Sequence, residues 1–216
     1  MLDEFKRIGR FLFQEGLVDS HGGNMSMRQG DMIFITRKDA MLGDLREGDI
    51  IEVKMSAGEN DGKASRELPT HRAIYGKSDV RAIVHAHGAN TIAISLTDNK
   101  IIPQDTEGLY LYKAAAIVRV REGAGFEENA RLLPTFLSAE SRVAVLRGHG
   151  SFAIGESLEE AYKLTSSLEN SCKVIVAVRS SGAAARPFIK KDRDVRRSAI
   201  PPGIGVMDRG RYFRNK

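Results

Sequence analysis

Ala82-Ile83-Val84-His85-Ala86-His87-Gly88 is the stretch from which the fold of this 216-residue chain is best read. Its apolar run predicts a buried strand, and alternate residues on a strand share a face, so His85 and His87 aim two imidazoles at one point. A second short apolar run, Val143-Ala144-Val145-Leu146, leads into Arg147-Gly148-His149-Gly150. The glycines beside His149 permit a sharp turn that presents its ring at a strand end. Three convergent imidazoles with an open coordination position form the ligand set of a catalytic zinc ion. A lone His-x-His is equally well read as two hydrogen-bonded strand-end residues. The third histidine, one of only five in the chain, favours a metal.

Composition sets the frame. At 216 residues and 42% hydrophobic, the chain is long enough for one large domain spanning 1–216, with a basic C-terminal tail at 190–216. No run of about 18 apolar residues occurs, and the charged start Met1-Leu2-Asp3-Glu4-Phe5-Lys6 is unlike a signal peptide. A cytoplasmic protein without a membrane partner is expected. Cys172 is the only cysteine, so a disulfide framework and a thiolate cluster are excluded, and a metal must be held by nitrogen and oxygen. Much of the net charge of +5 lies in the tail, on Arg193, Arg196, Arg197, Arg209, Arg211 and Arg214. That tail carries no recognisable nucleic-acid module; the expectation is an arm that contacts a neighbouring subunit or an anionic substrate, with no nucleic-acid partner.

Helical and strand patterns alternate along the chain. Leu2, Phe5, Ile8 and Leu12 fall at helical spacing before Gly16. Met32–Thr36 and Ile50–Val53 read as short strands, Leu68–Lys77 as a helix with Pro69 in its first turn, Ile117–Arg121 as a strand, and Glu127–Leu137 as a helix. Ser157-Leu158-Glu159-Glu160 is a capping box opening a long helix whose stripe Leu158, Ala161, Thr165, Leu168, Cys172 and Ile175 is core. Mixed elements without regular βαβ repeats predict a three-layer α/β/α sandwich around a mainly antiparallel sheet.

Four motifs carry a family resemblance. Gly22-Gly23-Asn24-Met25-Ser26-Met27-Arg28, Ser65-Arg66-Glu67-Leu68-Pro69-Thr70-His71-Arg72-Ala73-Ile74-Tyr75, the His85/His87 strand and Arg147-Gly148-His149-Gly150 have the order and spacing of the class II aldolase and adducin head family. The resemblance runs from about Phe5 to Val178. Within the family the chain looks most like the zinc-dependent L-fuculose-1-phosphate aldolases, cytoplasmic homotetramers that cleave a ketose 1-phosphate into dihydroxyacetone phosphate and L-lactaldehyde. It implies His85, His87, His149 and Glu67 as the metal set, with one Zn2+ per subunit, and Glu67 also as the catalytic acid/base. In such a site zinc stabilises the enediolate left by carbon–carbon cleavage while the carboxylate moves the proton. Without the motif, Glu67 is an acidic residue at a helix start, complementing the helix dipole. Three imidazoles also suit cobalt, nickel or manganese.

The same resemblance implies a phosphate pocket from Gly23, Asn24, Lys38, Asp39, Ser65 and Arg66. The family pattern has Thr-Gly where this chain has Lys38-Asp39, and Ser-Ser where it has Ser65-Arg66. Lys38 and Arg66 can add charge-assisted contacts to a phosphorylated substrate, or the altered pocket can take a different anion; an inward-pointing Asp39 would oppose a phosphate. Tyr212 is the first candidate for the proton donor to the leaving aldehyde, with Tyr110 and Tyr112 behind it. His71, four residues after Glu67, is read as a support for the metal site in preference to a ligand, and His21 as either a substrate contact or a surface residue. Rival functions are an L-ribulose-5-phosphate 4-epimerase, which places Asp where this chain has Glu67, a methylthioribulose-phosphate dehydratase-type enzyme, and an adducin-like interaction module without catalysis.

Overall fold

The computed structural model describes residues 1–121 and 125–182. The chain runs through α1 (Leu2–Gln14), β1 (Asn24–Gln29), β2 (Met32–Thr36), β3 (Ile50–Lys54), α2 (Leu68–Tyr75), β4 (Ala82–Ala86), α3 (Ala89–Thr97), β5 (Lys100–Ile101), α4 (Thr106–Leu111), β6 (Ala115–Val118), α5 (Gly125–Leu132), β7 (Val143–Leu146), β8 (Gly150–Gly155) and α6 (Leu158–Ser180). The eight strands form one sheet in the order β3-β2-β1-β4-β8-β7-β6-β5. Every pairing is antiparallel except β6 with β7.

Strand β4 is buried along its whole length because it lies inside the sheet and is covered on both faces. Ala82, Val84 and Ala86 turn to a core built with Phe5, Ile8 and Leu12 of α1 and Leu158, Leu164, Leu168 and Ile175 of α6. Ile83 turns to the other core, with Leu68, Ile74 and Tyr75 of α2, Leu133, and Phe152 and Ile154 of β8. The two cores make the three-layer α/β/α arrangement, and by parity His85 shares the α2 face with Ile83. Cys172 is fully buried as a free thiol in the predicted α6 stripe. The Ser157 hydroxyl accepts from the Glu160 amide, as the capping box requires.

Several boundaries differ from the sequence reading. The expected helix to Leu137 ends at Leu132 and passes into a short 3-10 turn, Leu133–Thr135, because Pro134 lacks an amide hydrogen and its ring crowds the preceding turn. The strand expected over Ile117–Arg121 lies at Ala115–Val118, where β7 offers a parallel partner only as far as Leu146. Helix α2 ends at Tyr75, two residues before Lys77, with Gly76 as its cap. Strand β1, Asn24-Met25-Ser26-Met27-Arg28-Gln29, has little intrinsic strand character; β2 on one side and β4 on the other impose its extended form. Among the described residues, no helix is long and apolar enough to cross a membrane. The expected tail arm at 190–216 lies outside the described residues.

Candidate metal and substrate site

The site gathers at the His85 end of β4. His85 Nδ1 donates to the Ser151 carbonyl oxygen at 2.9 Å, which leaves the Nε2 lone pair facing out of the sheet. His85 Nε2 lies 2.9 Å from His87 Nε2 and 3.0 Å from His149 Nε2. His87 follows the strand directly, with its amide donating to the Leu17 carbonyl at 2.7 Å, and His149 sits in the turn between β7 and β8. Phe152 stacks against His85 at 4.1 Å between ring centroids and holds the imidazole plane.

All three rings favour the neutral form that metal binding needs. Burial, reinforced by the neighbouring imidazoles, holds His85 far below the ordinary histidine range. Burial and then the proximity of His87 bring His149 down to about 4. Burial also lowers His87, against an opposing pull from Asp19. An ion bonded to two imidazoles at zinc–nitrogen lengths separates their nitrogens by about 3.3 Å, so the observed spacing needs only a few tenths of an ångström of expansion. Among the described residues, His85, His87 and His149 form a group able to hold a metal ion, with ligand atoms within 4.8 Å of one another.

Glu67 stands beside this group. It occupies the cap position of α2 and is almost fully buried at 3% exposure. Thr70 Oγ1 donates to its Oε2 at 2.8 Å, whereas Oε1 has no hydrogen-bond donor among the described residues and points to His149 Nε2 at 3.6 Å. Burial pushes the carboxyl up to about 7, the Thr70 hydrogen bond pulling the other way. A buried carboxylate oxygen left without such a donor, turned toward one imidazole of a three-histidine group, is an arrangement that a cation would complete. The donor set and its orphaned oxygen therefore fit a divalent metal.

A cavity of about 170 Å³ opens over the imidazoles, lined by Gly23, Asn24, Lys38, Asp39, Ser65 and Arg66, together with Glu67 and the three histidines. Gly23 has φ +74°, and a Cβ there would lie 2.8 Å from the His85 carbonyl oxygen, so this turn approaches the ligand strand only as glycine. Asn24 is buried with its Oδ1 unpartnered. Asp39 has φ +58°, the left-handed backbone that a glycine takes freely, which accounts for its standing where the family pattern has glycine. Its carboxylate pairs with Arg66 Nη2 at 3.3 Å. Arg37 and Phe126 also line the cavity and were not anticipated. Arg37 precedes the Lys38-Asp39 pair and is one cation among many; Phe126 arrives from a segment distant in sequence.

Of the remaining candidates, His21 is exposed and lines the cavity. His71 does not join the ligand group. Its Nδ1 lies 2.7 Å from Ser26 Oγ, which also bonds Tyr75 OH at 2.8 Å, and its ring meets Phe152 edge-on at 6.0 Å. Phe152 therefore lies against both His71 and His85. Tyr110 is exposed and Tyr112 buried, and neither lines the cavity. Tyr212 lies outside the described residues.

Comparison with known proteins identifies the family. The family model for the class II aldolase and adducin N-terminal domain matches residues 3–176. The chain belongs to the class II aldolase and adducin family. Among class II aldolase relatives, it is 30% identical over 172 residues to an L-fuculose phosphate aldolase of Methanocaldococcus jannaschii, covering 79% of this chain and 93% of that protein. A 3-oxo-tetronate 4-phosphate decarboxylase of Cupriavidus necator is 28% identical, over 85% of this chain and 88% of that one. The crystal structure of L-fuculose-1-phosphate aldolase from Thermus thermophilus superposes with a TM-score of 0.79 at 32% identity, covering 86% of this chain and 97% of that chain.

Proposed function

We propose that this class II aldolase-family protein is a lyase that reversibly cleaves a ketose 1-phosphate, of the L-fuculose 1-phosphate kind, into dihydroxyacetone phosphate and a short aldehyde such as L-lactaldehyde. The observation that carries the reading is the undonated Oε1 of Glu67, buried 3.6 Å from an imidazole of the three-histidine group. His85, His87 and His149 would hold one Zn2+ per subunit, with Glu67 able to join them before substrate arrives. Bound there, the ion would supply Lewis acidity toward substrate oxygens.

The chain's own residues supply the remainder. Glu67, whose carboxyl pKa is raised by burial in the metal-free chain, is the group placed to accept and return a proton at the donor carbon. Thr70 fixes one of its oxygens and leaves the other free to work. Lys38 and Arg66 give the cavity positive charge at the Gly23-Asn24 turn, and Ser65 offers a hydroxyl, so a phosphate is attracted and oriented. Tyr212 remains our candidate for protonating the leaving aldehyde. A homotetramer in the cytoplasm is the setting we propose, from the likeness to fuculose-phosphate aldolases and from the free, buried Cys172.

The direct test offers dihydroxyacetone phosphate with lactaldehyde, glycolaldehyde and glyceraldehyde in turn to zinc-loaded protein and identifies each product and its stereochemistry. Condensation with at least one aldehyde is expected. No condensation, alongside epimerisation of pentulose 5-phosphates or loss of carbon dioxide from a 3-oxo acid phosphate, overturns the aldolase reading.

A further inference from the structure

His87 and His149 come to the site from separate segments, and both segments are tied to α3. At its N-terminus α3 follows His87 with one residue between, Gly88, which has no side chain to cap the helix. The cap comes from α6 instead. Glu169 Oε1 accepts from the Asn90 amide at 3.0 Å and from Asn90 Nδ2 at 2.7 Å, and Oε2 accepts from the Thr91 amide at 2.9 Å and from Thr91 Oγ1 at 2.8 Å. The carboxylate is 3% exposed, and four donors satisfy it. The fit leaves no room: a Cβ on Gly88 would lie 2.4 Å from Glu169 Oε2.

Further along α3, the Ser95 hydroxyl donates to the Ile92 carbonyl and accepts from the Gly148 amide at 2.9 Å. Arg147 Nη1 donates to the Leu96 carbonyl at 3.0 Å. The two residues that precede His149 are thus bonded to the same helix whose start fixes His87. A helix is stiff along its axis, so the position of α3 sets where the two imidazoles stand relative to each other.

We propose that Glu169 is a positioning residue for the three-histidine site: by anchoring α3 to α6 it sets the separation of His87 and His149 and so the affinity for a divalent ion. The inference rests on the metal-site reading above. In Glu169→Gln the amide NH2 would face the backbone amide of Asn90 or of Thr91, both donors, so at least one of the two backbone caps is lost. Ser95→Ala removes the tie to Gly148 without touching Glu169. Thr165→Val serves as the control, because Thr165 is equally buried on α6 but bonds only back to Ala161 within that helix.

Co2+ is the probe, its affinity measured by competition with a chromophoric chelator and its coordination by visible absorption, below each variant's unfolding temperature. Glu169→Gln is expected to weaken Co2+ binding roughly tenfold or more and to shift the visible bands. Ser95→Ala should weaken it severalfold, and Thr165→Val should match the wild type. A folded Glu169→Gln with wild-type affinity and spectrum overturns the proposal, as does equal weakening in Thr165→Val. If Glu169→Gln does not fold, Ser95→Ala decides, and wild-type affinity there overturns the proposal. Wild-type protein that takes up no Co2+ overturns the metal reading itself, and this inference with it.

Discussion

Glu67 Oε1 faces His149 Nε2 across 3.6 Å, and among the described residues no hydrogen-bond donor reaches that oxygen. A helix cap thereby becomes the acidic wall of a three-imidazole site, and the consequences for chemistry and for stability separate cleanly.

Replacing Glu67 by Gln keeps the size of the side chain and its bond from Thr70 but removes the carboxylate that we propose as the base. The variant should bind zinc, read by elemental analysis, while exchange of the donor-carbon proton of dihydroxyacetone phosphate into deuterated water falls by about 100- to 10,000-fold. Undiminished exchange would remove Glu67 from the proton-transfer role.

The same carboxyl weakens the metal-free fold. Its pKa is about 7 in the folded chain against an ordinary 4.5, so the fold favours the protonated form. Stability is full below about pH 4.5 and is lost as pH rises through 7. Metal-free Glu67→Gln should therefore be more stable than wild type at pH 8, by about 2–3 kcal/mol, and indistinguishable from it at pH 4. Urea unfolding at the two pH values measures this.

His71 acts in the opposite sense. Burial brings its folded pKa down to about 3 from an ordinary 6.5, so the unfolded chain takes up a proton that the folded chain refuses. Stability present above pH 6.5 is lost as pH falls toward 3. His71→Asn, which can keep the Ser26 hydrogen bond, should flatten the acid limb of the stability curve by at most about 1.4 kcal/mol per pH unit.

Arg66 and Asp39 pair within the cavity that we propose holds the substrate phosphate. Both are more than half exposed, so their ion pair adds little to stability. Arg66→Ala should raise KM for dihydroxyacetone phosphate with unfolding temperature unchanged. Asp39→Asn tolerates the left-handed backbone and frees Arg66, and it should lower KM. Equal KM values in both variants would place the phosphate elsewhere.

Removing the ion should cost stability as well as activity. Zinc at about 100 times its dissociation constant contributes about 2.7 kcal/mol, so chelation is expected to lower the unfolding temperature by roughly 5–10 °C. Calorimetry with and without chelator checks it.

Some of this was legible in the residues. The His85 strand, the Val143–Leu146 strand and α6 carry strong local patterns, and the structure places each where its pattern does. Strands β1 and β8 and helix α3 were not anticipated. Gly150-Ser151-Phe152-Ala153-Ile154-Gly155 is buried on both faces and shows no alternation, and β1 is polar enough that only its two neighbours make it a strand. Arg37 and Phe126 carry no motif, and Glu169 reads as one more charge on a long helix.

By itself, the sequence determined the chemistry available: three imidazoles, a carboxylate beside a proline-started helix, and a glycine turn, each with a local signature of spacing or backbone freedom. The tertiary structure decided how those groups act together. It desolvates Glu67 so that its carboxyl titrates near 7, faces Asp39 with Arg66, and hangs His87 and the His149 turn on one helix held by Glu169. Burial and separation in space arise from packing between distant segments, and no local pattern encodes them.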